Sequence, residues 1–447
     1  MVSSERLASD LLKRLETRTA RLGIIGLGYV GLPLAVAVHR AGFDIVGFDV
    51  DKQKVTLINS GKSPILGISS ERLREMRKSG TFIASTNFDE LRSVDAVMIC
   101  VPTPLSKYRD PDLSFVENTG RSIASRLRRG QLVVLESSSY PGTTHEVLQP
   151  ILEKDGLRSG VDYFLGYSPE REDPGNNQFE AATIPRVIGA DDKRSAALVA
   201  ALYTAIVGKV VPVSSCATAE AVKLTENIFR AVNIALVNEL KLVFRKMDVD
   251  IWEVIDAAKS KPFGYMPFYP GPGIGGHCIP IDPFYLTWKA REHDVPTRFI
   301  ELAGEVNADA PRHVVASLIE ALSQKLQRSL SGARILLLGM AYKKNVDDLR
   351  ESPSLKMLEM LESQGADVQF FDPLIPTIPP TREHAALAGR RSIQWDRHLI
   401  ESFDASVICT DHDGVDYERL VEWSKIVVDT RNATRQLKLG RDKIVSA

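Results

Sequence analysis

Residues 21–49 read RLGIIGLGYVGLPLAVAVHRAGFDIVGFD. A short apolar run enters a glycine turn, Gly26-x-Gly28-x-x-Gly31; an apolar helical stretch then ends at Gly42, and a second apolar run ends at Asp49. Strand, crossover helix and strand make a βαβ unit, which implies a parallel sheet. The three glycines have separate tasks: Gly26 permits the tight turn, Gly28 lets the backbone approach a pyrophosphate, and Gly31 lets helix and strand pack closely. Asp49 lies 18 residues beyond Gly31. A carboxylate there accepts hydrogen bonds from an adenosine ribose and repels a 2′-phosphate. The stretch predicts a dinucleotide site, for NAD rather than NADP.

Working outward, residues 1–20 are polar and read as a short helical extension. The runs DAVMICVP (95–102) and QLVVLESS (131–138) continue an open, mostly parallel sheet to about residue 208. VPTP (101–104) and SSSYPG (137–142) follow strands at their carboxyl ends, where open α/β sheets bind ligands, so Thr103 and Ser139 are candidate coenzyme contacts. Helical patterns cover 217–246 and 297–330. Between them KPFGYMPFYPGPGIGGHCIPIDP (261–283) is too rich in Gly and Pro for regular structure, and a loop of that length is usually functional. At Ser331 the βαβ grammar restarts with GARILLLGM, SPSLKMLEMLESQG and DVQFFDP. GFDIVGFD (42–49) matches GADVQFFD (365–372) in spacing, and DAVMIC (95–100) is echoed by DASVIC (404–409). The expected architecture is α/β: Rossmann-like domains at 21–208 and 331–447 with parallel sheets, joined by a central helical region at 209–330.

The 447 residues carry 56 Lys and Arg against 57 Asp and Glu, a net charge of -1, which gives no global pull toward nucleic acid or an anionic membrane. Apolar residues at 44% and charged residues at 25% argue against disorder. The four cysteines are scattered without a CxxC pair, arguing against a disulfide scaffold or a cysteine-rich metal site and for reduced thiols in a cytoplasm. No metal is expected, and no apolar run is long enough to cross a bilayer.

Cys100 and Cys409 end apolar strands and read as small buried hydrophobes. Cys278 does not fit that reading. It follows Gly273, Gly275 and Gly276, which suggests backbone amides near a thiolate or an oxyanion. A poised thiol beside an NAD site points to aldehyde-level oxidation, since sulfur adds to an aldehyde and the adduct can give up hydride. Lys223 and Asn227, four apart, share a helix face, either solvated or turned inward. In the second half the first loop lacks GxGxxG and carries Tyr342, Lys343 and Lys344, then Asp347, Asp348 and Arg350. These are either a site for a different diphosphate or a solvated basic turn.

GLGYVGLPLA (26–35), CVPTP (100–104), YSPEREDPG (167–175), AEAVKLTEN (219–227), FYPGPGIGGHCIPIDP (268–283) and AYKKNVDDLRESP (341–353) together resemble nucleotide-sugar dehydrogenases of the UDP-glucose/GDP-mannose dehydrogenase family. The resemblance spans residues 21–432. It implies four-electron oxidation of a UDP-sugar C6 hydroxyl to a carboxylate by two NAD, in a homodimer or higher oligomer supplying surface polysaccharide such as O-antigen. By position, Cys278 is implied as nucleophile, Lys223 as oxyanion stabiliser, Asn227 as the amide orienting sugar oxygen or water, and Glu170 and Asp282 as general bases. Arg171, Glu172, Arg230, Phe268, Tyr269, Gly275, Tyr342, Lys343 and Arg431 are implied for the substrate, and Tyr29, Val30, Asp49, Lys54, Thr103, Ser139 and Arg350 for NAD. Lys54 and Ser139 stand where the family more often has arginine and threonine. SPEREDPG with FYPGPGIGGHC resembles the branch handling N-acetylated UDP-hexosamines, with N-acetylglucosamine the expected sugar. A non-catalytic nucleotide-sugar sensor is the alternative of another class.

Overall fold

In a computed structural model the described residues are all but 1–2, 66, 107, 172–182 and 382. The chain divides into two compact units, 1–226 with 284–296 and 227–283 with 297–447.

The first unit is built on eight strands: β1 (Arg21–Ile25), β2 (Asp44–Phe48), β3 (Phe82–Ser85), β4 (Ala96–Ile99), β5 (Leu132–Leu135), β6 (Phe164–Tyr167), β7 (Arg186–Gly189) and β8 (Val210–Val213). Their order is β3-β2-β1-β4-β5-β6-β7-β8, parallel throughout except between β6 and β7. β4, β5 and β6 are buried at every position, as expected for strands covered on both faces. The helices are α1 (Ser4–Glu16), α2 (Gly31–Arg40), α3 (Lys52–Asn59), α4 (Ser70–Lys78), α5 (Ser114–Ala124), α6 (Gln149–Leu152) and α7 (Lys193–Ile206). The N-terminal extension is α1, begun by Ser3, whose side chain accepts from the Arg6 amide. It buries Leu11 and Leu15 in the main core of this unit, which also holds Leu22, Ile24 and Phe43. Each such fully buried side chain contributes about 2 kcal/mol.

Helix α8 (Cys216–Lys246) runs unbroken through the boundary between the units. The second unit then includes α9 (Ile251–Ala258), a helix the sequence reading did not resolve. α10 (Asp282–Arg291) also spans a boundary. α11 (Arg298–Leu326) is followed by a five-stranded parallel sheet in the order β10-β9-β11-β12-β13, with β9 (Arg334–Leu338), β10 (Asp367–Phe371), β11 (Ala405–Ile408), β12 (Val427–Asp429) and β13 (Ile444–Ser446). α12 (Pro353–Ser363), α13 (Arg397–Glu401) and α14 (Tyr417–Trp423) complete it. The restart of the βαβ pattern near residue 331 is therefore real: β9, α12 and β10 repeat β1, α2 and β2. Between α9 and α10 the Gly/Pro-rich segment forms neither helix nor strand. Among the described residues no helix is long and apolar enough to cross a membrane.

Candidate active site

At the carboxyl edge of the first sheet the glycine turn is fixed from two sides. The Gly26 amide donates to the Phe48 carbonyl at 2.8 Å, and the Leu27 amide to Asp49 Oδ2 at 2.9 Å. A Cβ at Gly31 would lie 1.8 Å from the Gly26 carbonyl oxygen, so only glycine lets α2 start this close to β1. At Gly28 a Cβ would meet nothing within 4 Å; the backbone there borders open space. α2 begins without a side-chain cap, and uncapped N-terminal amides favour an anion such as pyrophosphate. Tyr29 and Val30, part-exposed, complete the turn. Asp49, buried, also accepts from the Asp51 amide at 3.0 Å and Lys54 Nζ at 2.8 Å. Thr103 Oγ1 is buried and finds no hydrogen-bond partner among the described residues, which suits a hydroxyl that serves a ligand. These features fit a dinucleotide.

Two further loops of this unit hold candidate residues. Ser139, fully buried, donates to Glu220 of α8 at 3.4 Å. Glu170 follows β6, and its carbonyl oxygen accepts from Lys223 Nζ at 2.5 Å while its carboxylate lies 3.5 Å from the same nitrogen. Both residues are buried, so α8 turns Lys223 inward. Arg171 is pinned by Glu226 on both carboxylate oxygens and by the Pro185 carbonyl. Glu172 lies outside the described residues.

In the second unit Asn227 Nδ2 donates to Asp282 Oδ2 at 2.6 Å, both side chains being buried. The Asp282 amide donates to the Cys278 carbonyl at 2.8 Å, a turn that leads from the cysteine into α10. Cys278 is part-buried, whereas Cys100, Cys216 and Cys409 are buried; burial pushes the Cys409 thiol up to about 12. The upstream glycines act by close packing. A Cβ at Gly275 would lie 2.6 Å from Tyr342 Cβ and 2.7 Å from the Glu351 carbonyl oxygen. The Gly276 amide donates to the Arg350 carbonyl at 2.8 Å, which takes it away from the anion-binding role expected from sequence.

Arg350 is clamped by Asp348 through Nε and Nη2 at 2.6–3.0 Å. Burial would lower its pKa, but Asp348, with smaller contributions from Cys278 and Tyr342, raises it above the ordinary arginine value. Arg431 donates from Nε to the Cys409 carbonyl at 2.9 Å, and its guanidinium lies against Gly271, where a Cβ would come within 2.5 Å. Lys343 is part-buried and Arg230 exposed. Phe268 packs edge-on against Phe229 at 5.6 Å. Tyr269 stacks on Trp252 at 5.3 Å and donates to Asp256 at 2.8 Å. These two aromatics brace the glycine loop against α8 and α9.

Sequence reasoning missed Glu220, Glu226 and Asp348 as partners of Ser139, Arg171 and Arg350. Glu220 had a signal: it sits one helical turn before Lys223, on the face later found buried.

Three consecutive segments match one family. Its NAD binding domain covers residues 20–207, its central domain 217–309 and its UDP binding domain 336–436. The UDP-N-acetyl-D-mannosamine dehydrogenase of Pyrococcus horikoshii is 35% identical over 94% of this chain and 97% of its own. The UDP-N-acetyl-D-glucosamine 6-dehydrogenase of Pseudomonas aeruginosa is 36% identical over 79% and 83%. A solved structure of the Pyrococcus horikoshii UDP-D-ManNAc dehydrogenase aligns with a TM-score of 0.85 at 36% identity, covering 94% of this chain and 97% of that one. With a glycine turn that fits NAD and a second Rossmann-like sheet in the segment matching the UDP binding domain, the chain belongs to the UDP-glucose/GDP-mannose dehydrogenase family, the NAD-dependent nucleotide-sugar 6-dehydrogenases.

Proposed function

We propose that the chain oxidises the C6 hydroxymethyl of UDP-N-acetylglucosamine to the carboxylate, as a UDP-N-acetylglucosamine 6-dehydrogenase, giving the uronate for surface polysaccharide. The observation that carries the dehydrogenase chemistry is the burial of two polar pairs, Lys223 with Glu170 and Asn227 with Asp282; the similarity to a UDP-N-acetyl-D-glucosamine 6-dehydrogenase over 79% of the chain supports the sugar. A buried ammonium beside a carboxylate, and a second buried carboxylate held by an amide, can offset charge and move protons as a reaction proceeds. NAD would supply the hydride acceptor, one molecule for the alcohol and a second for the thiohemiacetal. Either Glu170 or Asp282 takes the alcohol proton. Cys278 Sγ adds to the aldehyde carbon and gives a thiohemiacetal, whose oxidation leaves a thioester. Water activated by a carboxylate and oriented by Asn227 then displaces the thiol and releases the acid, while the Lys223 ammonium offsets charge on each oxyanion. We assign Arg171, held by Glu226, to the sugar's C2 or C3 substituent, and Tyr342, Lys343 and Arg431 to the UDP moiety. In this reading residues 209–330 form the central helical domain.

The similarity to a UDP-N-acetyl-D-mannosamine dehydrogenase over 94% of the chain favours a second reading with that sugar. NADH release at 340 nm from a panel of UDP-N-acetylglucosamine, its manno and galacto epimers and UDP-glucose decides between them. The expected result is two NADH per UDP-N-acetylglucosamine with a uronate mass in the product. Turnover of the manno epimer alone would select the second reading, and one NADH per sugar would remove the thioester. No turnover of any sugar would leave a binding protein.

A homodimer fits the second unit. Phe229, Leu236 and Val243 recur every seven residues on α8 and are exposed. Such a stripe is covered by a second copy in solution; a monomer by light scattering would discard this.

A further inference from the structure

Glu220 is a fully buried carboxylate with no place in the proposed reaction. It leaves α8 and enters the loop between β5 and α6. Its Oε2 accepts from the Gly142 amide at 2.6 Å. Its Oε1 accepts from the Thr144 amide at 2.9 Å, the Thr144 hydroxyl at 2.7 Å and, more weakly, the Ser139 hydroxyl at 3.4 Å. The segment it grips is unusual. Gly142 has φ 105, and Thr143–Leu148 form a π-helical turn with no side-chain cap of its own. Such a turn leaves its first amides unsatisfied, and Glu220 satisfies two of them from another element. One turn further along α8, Lys223 holds Glu170 at the end of β6. A single helical segment thus fastens two successive loops at the ligand edge of the first sheet.

We infer that Glu220 is a positioning residue for the coenzyme: its carboxylate fixes the 137–144 loop, which carries Ser139, at the ligand edge of the first sheet, without itself touching NAD or sugar. The inference rests on the assignment of Ser139 to NAD. A carboxylate with four donors from one loop defines that loop's position more tightly than packing of Tyr140 and Thr143 alone would. Because α8 also carries Lys223, the loop is set in register with the lysine.

The test is NAD affinity of the full chain by calorimetry at pH 8.5, with UDP-N-acetylglucosamine affinity and thermal midpoint measured in parallel. Glu220→Ala should weaken NAD about tenfold and leave the UDP-sugar within twofold. Glu220→Gln should fall between, since its amide keeps one acceptor and turns a donor toward another donor. Thr144→Val removes one contact at nearly constant shape; it should weaken NAD about threefold and decides the matter if Glu220→Ala does not fold. Ser139→Ala separates the inference from the reading beneath it. If Ser139→Ala weakens NAD while folded Glu220→Ala and Thr144→Val bind as the parent does, the inference is overturned. If Glu220→Ala weakens NAD and Ser139→Ala does not, the loop role stands and the Ser139 contact falls. A lower thermal midpoint with unchanged NAD affinity would reduce Glu220 to a purely structural residue.

Discussion

The two parallel sheets begin alike and then part. In the first, the Gly26 amide donates to the Phe48 carbonyl and the Leu27 amide to Asp49; in the second, the Gly339 amide donates to the Phe371 carbonyl and the Met340 amide to Asp372. The hydrogen bonds repeat residue for residue. Then α2 begins five residues after Gly26, with no side-chain cap, whereas α12 begins 14 residues after Gly339 and is capped by Ser352. The second acid is also saturated: Asp372 accepts from the amides of Met340, Ala341, Leu374 and Ile375 and faces His412 at 3.3 Å. Asp49 has two amides and Lys54. One acid stands at an open turn, and the other holds its own turn shut. The same strand-turn-strand frame therefore offers backbone amides to an anion in the first unit, and in the second displaces the helix and puts Lys343 and Lys344 in its place.

The largest effect expected from disturbing this contrast is at Gly31. Ala there places its Cβ on the Gly26 carbonyl oxygen, which requires α2 to move. Gly31→Ala should lose NAD binding by at least about a hundredfold and destabilise the first unit by more than about 4 kcal/mol, read by calorimetry and denaturant unfolding. Retention of tight NAD binding would show that the turn is not the coenzyme cradle. Next comes Asp372→Asn, which gives four amides a poorer acceptor. It should cost about 3 kcal/mol of second-unit stability while NAD affinity stays within twofold; a loss of NAD affinity instead would mean the halves are not separate in function.

The frame was legible because each βαβ repeat is local: apolar runs, a glycine turn and a terminal acid lie within 29 residues in the first repeat (21–49) and 39 in the second (334–372). Lys223 and Asn227 were legible only as a helix face, because their partners Glu170 and Asp282 are 53 and 55 residues away. Pairings of that separation leave no periodic trace. Helix α9 was missed because IWEVIDAA is too short to announce itself, and the aromatic partners of Phe268 and Tyr269, namely Phe229 and Trp252, could not be read from the sequence.

Buried acids in the two units should also respond oppositely to pH. Burial pushes Glu220 up to about 7, against the lowering by its Thr144, Gly142 and Ser139 hydrogen bonds. Its folded pKa exceeds the unfolded one, so its contribution is most favourable below about 4.5 and is lost as pH rises to 7, a cost of roughly 3 kcal/mol at neutral pH. Burial would raise Asp372 too, but His412 and the Leu374 and Ala341 amides hold it below the usual carboxylate value. Its contribution is present above about pH 4 and is lost on further acidification. Unfolding free energies from pH 4.5 to 8 should show a downward slope that Glu220→Gln removes; an unchanged slope in that variant would place the titration elsewhere.

The mildest change bears most directly on the comparison. Aligning Gly26-Leu27-Gly28 with Gly339-Met340-Ala341 shows that the second turn already carries alanine where the first carries Gly28. Ala341 is fully buried, filling space that the open side of Gly28 leaves to a ligand. Gly28→Ala gives the first turn the side chain of the second, and since a Cβ there meets nothing within 4 Å, the fold has no reason to resist it. Thermal stability should be unchanged or slightly higher, because alanine restricts the unfolded chain. NAD affinity should fall about tenfold, roughly 1.4 kcal/mol, as the methyl group holds the pyrophosphate away from the amides at the start of α2. If stability dropped while NAD bound normally, the space beside Gly28 would belong to packing, and the difference between the two turns would have to be carried by the helix caps and the terminal acids alone.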